Sequence, residues 1–562
     1  MVLDLLIRNG TVVDGTGAPR RRVDVGIRDG RIVEMGRVEE SARRVIDADG
    51  LIVSPGFVDP HTHYDAQIWW DPQLTCSSWH GVTSVVMGNC GVGLAPCQPN
   101  ERERVAYDLV NVEGIPFEVL DQGIPWEWTT FPEFMAAAET RGLGLNVGFL
   151  VPLTPLRQFV LGEETTKRAA TSEETLHVCR LLREAMEAGA LGFSTTTLSQ
   201  HVGYEGRPLG CRLASVEELG AYAAVLGELG RGSIELALCE QVSIPSDEEL
   251  GLLEVLLDRG GRPVTWLALL DRNDRPEACR ESLARAAPLI ERGALPQITC
   301  RPATAQFNLR KPFIFASFEC FESAFDRPEE EQSALYRDPA FRASFRREIG
   351  PGKMFTGDWT QIAVFQSKTP DLAPLAGHNI AEIAARRGTD GVDTFFDIAL
   401  EDGLQTEFTA TLFNSDTERL GELVADPRTL IGLSDGGAHV DMLCDAGYPT
   451  YLLGTWVRER NLMSLERAVA RITSEPAAFF GLADRGVLRA GMAADVTIFD
   501  PERVGSGDRP EFRNDLPGGG KRLVMASQGV HYTIVNGAVL YEAGHCTDAL
   551  PGQILRSGST TA

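Results

Sequence analysis

Eight short apolar runs, separated by stretches of helical patterning, constrain this chain more than any other feature. They fall at 56–59, 83–88, 143–151, 190–195, 233–239, 262–269, 296–300 and 430–434. Several of the intervals are amphipathic. One is SEETLHVCRLLREAMEAGA (172–190); another, VEELGAYAAVLGELG (216–230), spaces its apolar residues at i, i+3 and i+4. Strands alternating with helices build a parallel sheet, and eight of them predict an α/β fold of the TIM-like (β/α)8 barrel type. The two ends read differently. Residues 1–54 hold short alternating runs broken by NG and DG, which are hairpin signals, and the texture returns in GMAADVTIFD (491–500) and YTIVNGAVLYEAG (532–544). A small β-sandwich built from both termini, 1–54 with 480–562, is therefore expected around a barrel at 55–479. Between the seventh and eighth runs, residues 302–428 are rich in Phe, Arg and Pro and too long for a simple connection. They are expected to form an inserted subdomain or lid before the last barrel strand. The tail SGSTTA is expected to fray.

Composition narrows the function classes. With 53 Lys+Arg against 79 Asp+Glu, the formal net charge is -26. That balance argues against a nucleic-acid or anionic-membrane surface, both of which demand clustered positive charge. No run of about 18 apolar residues predicts a membrane span, and the N-terminus does not read as a secretory signal. The eleven cysteines are scattered and odd in number. They predict free thiols in a reducing, cytoplasmic setting rather than a disulfide framework. A small-molecule substrate and a homo-oligomeric state are the expected partners.

Three strand ends carry chemistry. In GFVDPHTHYD (56–65), His61 and His63 follow the first run. Residues just past the C-terminal ends of barrel strands face the active site, and positions i and i+2 of an extended segment point the same way. Both imidazoles can then reach one ion, although a lone HxH is also compatible with two unrelated surface histidines. In LIGLSDGGAHVD (430–441), Asp435 follows the eighth run. Strands one and eight are neighbours in a closed barrel, so its carboxylate can join the histidines, ligate a metal and take a proton from water. The plain alternative is a helix N-cap. In VVMGNCGVGLAP (85–96), Cys90 sits between glycines after the second run. Its thiolate suits zinc, while packing in a tight turn is the competing reading.

Together IRNGTVVDGTG, GLIVSPGFVDPHTHYDAQ, GVTSVVMGNCGVGLAP, AMEAGALGFST, IGLSDGGAH and RGVLRAGMAADVTIFDPERV resemble the amidohydrolase superfamily. Within it they are similar to the D-aminoacylase, or N-acyl-D-amino-acid deacylase, branch. The resemblance runs from residue 3 to about 556 and is weakest over 302–400. It implies a zinc-dependent barrel flanked by a β-sandwich, in which a metal-activated water attacks an amide carbonyl. It places the histidine pair at His61 and His63, the cysteine ligand at Cys90 and the catalytic aspartate at Asp435.

One departure matters. The family pattern has further histidines after strands five and six. Here SIELALCEQVS (233–243) ends in Cys239, Glu240 and Gln241, and RPVTWLALLDRND (262–274) offers Asp271 and Asn273. The usual binuclear centre cannot be assembled, so one zinc ion is expected. His201, His439, Glu240 and Glu113 are candidates for additional metal or substrate contacts, each with a structural reading beside it. Arg157 in PLTPLRQFVLG (152–162) is the expected cation for a substrate carboxylate, with Arg301 and Arg207 as alternatives. The expected reaction is hydrolysis of the amide of an N-acyl amino acid. Two rivals stay open: opening of a cyclic amide, imide or lactone at the same site, and a degenerate metal centre serving binding or non-hydrolytic chemistry.

Overall fold

The computed structural model describes residues 2–325, 327–507 and 509–558, so most of the SGSTTA tail lies outside the described residues. Its centre is a parallel sheet whose strands follow chain order: β1 (Phe57–Asp59), β2 (Val82–Met87), β3 (Asn146–Pro152), β4 (Gly192–Thr196), β5 (Ser233–Ala237), β6 (Val264–Leu267), β7 (Ala294–Ile298) and β8 (Leu430–Ile431). Each pairs in parallel with the next. The sheet curls until its ends meet. Thr62, just past β1, bridges Gly436, just past β8, and the His63 N–H donates to Gly436 O at 2.7 Å.

Local sequence explains the elements. β2 (VTSVVM) and β3 (NVGFLVP) are buried along their whole length, as strands covered on both faces must be. The helices leading into β4, β5 and β6 open with capping boxes at Thr171/Glu174, Ser215/Glu218 and Ser246/Glu249, each cap contributing about 0.5–2 kcal/mol. The eighth strand is shorter than its apolar run, because Leu433 (φ 55°) and Asp435 (φ 47°) leave the extended region. β7 begins two residues before the run at 296–300, since Ala294 and Leu295 pair with Val264 and Thr265.

The chain ends form two sheets. Leu3–Arg8, Asp24–Arg28, Arg31–Gly36 and Ala42–Asp47 make one; the other joins Thr11–Val12, Arg21–Arg22 and Ile52–Pro55 to strands between Val496 and Cys546. Leu5, Ile7, Val25 and Ile27 of the first share a core with Val53, Val496, Ile498 and Ile534 of the second. Ile554–Leu555 departs from this pattern and returns to pair with β3.

Between β7 and β8, three antiparallel strands (Ala303–Phe307, Glu407–Phe413 and Ile362–Gln366, with 407–413 central) are packed by helices around their own core. That core is aromatic, with Phe307, Phe315, Phe321, Phe345, Phe395 and Phe408 buried. Ring pairs such as Phe315–Phe321, 4.7 Å between centroids, each add roughly 0.5–1.5 kcal/mol beyond burial. The Gln306 N–H donates to Met442 O at 2.6 Å, so this insert is latched to the loop that carries Asp435.

Candidate metal centre

The local backbone explains how side chains from three strand ends converge. After β1, the Thr62 N–H donates to Val86 O (3.0 Å) and the His63 N–H to Gly436 O, so the segment stays extended between β2 and the β8 loop. His61 and His63 therefore point to the same side. After β2, Cys90 takes a left-handed conformation (φ 55°), and its N–H donates to Glu235 Oε2 at 2.8 Å. Gly91 must be glycine: its φ is +71°, and a Cβ would sit 2.9 Å from Thr195 Cα. Asp435 and His439 are left-handed too, both at φ 47°. Such conformations cost of order 1–3 kcal/mol each and persist only where the surroundings impose them.

Ligand atoms of His61, His63 and Cys90 lie within 4.8 Å of one another, all buried. His61 Nε2 is 3.6 Å from Cys90 Sγ and 3.3 Å from Asp435 Oδ1. His63 Nε2 is 3.8 Å from the same carboxylate oxygen. The opposite nitrogen, His63 Nδ1, lies 3.2 Å from Glu113 Oε1. That pair is close but out of line for a hydrogen bond, and both atoms are buried without another partner.

The electrostatics favour a cation here. Burial pushes His61 down to about 3 and His63 well below its ordinary value, so both imidazoles are neutral with lone pairs available. Three carboxyls crowd the same space. Glu113 and Glu235 are raised well above the usual range, by burial first and then by neighbouring carboxylates, Asp435 among them. Asp435 is pushed up to about 7 by loss of solvent and then by Asp445. Its side chain still keeps 30% of its surface open, which leaves room for a ligand. Among the described residues, none of these three carboxyls has an ion pair with Lys or Arg. The donor set, two neutral imidazoles, a thiol and a carboxylate around one space, fits a bound metal ion.

Other residues singled out from the sequence lie in different settings. His201, on the loop after β4, is lowered to about 4 by burial and then by His439, and its Nδ1 is unpartnered. It is close enough that its protonation would disfavour that of His61 and His63. His439 is half-buried, lowered to about 4 by loss of solvent, and its N–H donates to the carbonyl of Glu113. Glu240 is exposed and accepts hydrogen bonds from the N–H (2.8 Å) and hydroxyl of Ser199. Arg157 is committed elsewhere. Fully buried, it pairs with Glu218 at 3.1 Å and donates to the Gly210 carbonyl, so it is not available to a substrate carboxylate. Arg207 pairs with Glu205, and Arg301 faces Asp445 at 3.5 Å. Glu235 was not legible as a site residue: a glutamate in mid-strand reads as ordinary alternation. Gln297 on β7, buried beside the His61 imidazole, is no more legible, for the same reason.

The sequence matches the Amidohydrolase family model over residues 44–316 and 358–541. The chain belongs to the amidohydrolase family. An uncharacterized protein of Mycobacterium tuberculosis is 31% identical to this amidohydrolase, across 96% of the chain and 92% of the relative. An N-acyl-D-glutamate deacylase of Alcaligenes xylosoxydans xylosoxydans is 28% identical, covering 100% and 98%. Among solved structures, an N-acyl-D-glutamate deacylase of Bordetella bronchiseptica, complexed with zinc and a phosphonate inhibitor that mimics the tetrahedral intermediate, is 29% identical. It covers 99% of this chain and 100% of its own, with a TM-score of 0.66. The family and these relatives place the amidohydrolase in the D-aminoacylase branch, as a metal-dependent hydrolase of carbon–nitrogen bonds other than peptide bonds. Among the described residues, no helix is long and apolar enough to cross a membrane.

Proposed function

We propose that this amidohydrolase removes the acyl group from N-acyl-D-amino acids, using one zinc ion held by His61, His63, Cys90 and Asp435. The observation that carries the reading is the convergence of His61 Nε2 and His63 Nε2 on Asp435 Oδ1, with Cys90 Sγ beside them. The likeness to N-acyl-D-glutamate deacylases supports the substrate class.

When bound, the metal supplies Lewis-acid polarisation of the amide carbonyl and acidifies water. The chain's own residues do the rest. His61 and His63, held neutral by burial, orient the centre without adding charge to it. Asp435, whose carboxylate faces both Nε2 atoms and keeps part of its surface open, exchanges a proton with the water. It takes the proton of the attacking water as the oxygen bonds to the carbonyl carbon, and returns it to the amine nitrogen as the C–N bond breaks. A carboxylate and a free amino acid leave. We further propose that the curled sheet is the (β/α)8 barrel (55–479), that the terminal sheets (1–54 with 480–562) are its sandwich, and that 302–428 is a lid. The Gln306–Met442 latch supports the lid, because it joins the insert to the Asp435 loop.

The test is a panel of N-acyl-D- and N-acyl-L-amino acids, assayed with zinc-loaded protein and after chelation. Zinc-dependent release of free D-amino acids is expected. A zinc-loaded protein that turns over no member of the panel contradicts the substrate class.

A further inference from the structure

We propose that Glu113 is the positioning residue that orients His63 towards the metal. This inference rests on the metal-site reading above and is independent of the substrate. Both Nε2 atoms of the histidine pair face Asp435, so His63 presents Nε2 to the ion and keeps its proton on Nδ1. His63 Nδ1 faces Glu113 Oε1 at 3.2 Å, and neither atom has another hydrogen-bond partner. The proposal requires the imidazole to turn so that its N–H points at that oxygen. The result is a carboxylate–histidine–metal relay, which fixes the ring and its tautomer.

Local structure gives no other reason for a carboxylate here. Glu113 is the last residue of helix α1 (Arg102–Glu113), where the helix dipole disfavours negative charge. It is 2% exposed, and among the described residues its one ion pair is with His63. Its charged neighbours Asp435, Asp65 and Glu235 are all of its own sign. Its backbone, by contrast, is pinned. The Gly114 N–H closes the helix on Val110 O at 3.1 Å, and the Glu113 carbonyl accepts from the His439 N–H. The helix end is thereby tied to the β8 loop, with its carboxylate behind the β1 histidine.

The experiment measures zinc and cobalt(II) binding to metal-free full-length protein, by competition with a chromophoric chelator and by cobalt absorption spectra. No substrate is used. Glu113→Ala is expected to lose about 10–100-fold in metal affinity and to shift the cobalt spectrum. Glu113→Gln, whose amide oxygen still accepts the Nδ1 proton, is expected to restore most of the affinity. Glu113→Asp keeps the charge but withdraws the oxygen, so it is expected to weaken binding and serves if the alanine variant does not fold. Unchanged affinity in the alanine or aspartate variant overturns the proposal. So does a glutamine variant as weak as the alanine one, which would make Glu113 a direct ligand. If wild-type protein binds neither metal, the metal-site reading fails and the proposal falls with it.

Discussion

The two halves of the sheet's C-terminal edge use their polar residues in opposite ways. At β1, β2 and β8, the side chains of His61, His63, Cys90 and Asp435 converge, and buried nitrogens and oxygens are left unpartnered. At the ends of β5 and β6, polar groups are consumed by structure. The N–H groups of Cys239 and Glu240 both donate to Glu249 Oε1 at 2.9 Å, and the Glu240 carboxylate binds Ser199. Asp271 is held by Arg419 at 2.5 and 2.9 Å, and its N–H donates to Asn414 Oδ1. Where the family pattern calls for two more histidines, this chain ties the end of β5 to Ser199 and Glu249 and the end of β6 to its insert.

Two substitutions separate the halves. Asp435→Asn removes the proposed proton exchanger from the half that holds the candidate metal centre. We expect kcat to fall by about 10²–10⁴-fold with the fold unchanged, checked by steady-state kinetics and circular dichroism. Activity within a few-fold of wild type would take Asp435 out of the chemistry. Asp271→Ala acts on the other half and removes both carboxylate oxygens from the Arg419 guanidinium, leaving it Asp416 and Asn273. We expect a stability loss of about 1–3 kcal/mol by urea denaturation, faster proteolysis within 302–428 and unchanged metal content. Loss of metal in that variant would erase the distinction between the halves.

The residues of the candidate centre were largely legible in the sequence, because strand-end position and residue type coincide there. An HxH after an apolar run, a cysteine between glycines and an aspartate before two glycines each state their chemistry locally. What stayed hidden depends on partners far along the chain. Glu113 showed only as a carboxylate worth testing, because its role needs the end of α1 to fold over β1. Glu235 lies 145 residues from the Cys90 N–H that it accepts. Arg157 looked like a substrate anchor until Glu218, 61 residues on, claimed it. The fold class was readable from alternation, whereas the return of Ile554–Leu555 to β3 was not, since a two-residue strand leaves no periodic pattern.

The central claim is a single catalytic ion in the β1–β2–β8 half. Elemental analysis of protein purified without chelator and then exposed to excess zinc tests it most directly, alongside Cys90→Ser prepared in the same way. One zinc per chain in the wild type, and a clear loss in the serine variant, is the predicted result. Two tightly held ions per chain, only trace metal despite added zinc, or full retention without Cys90 would contradict it.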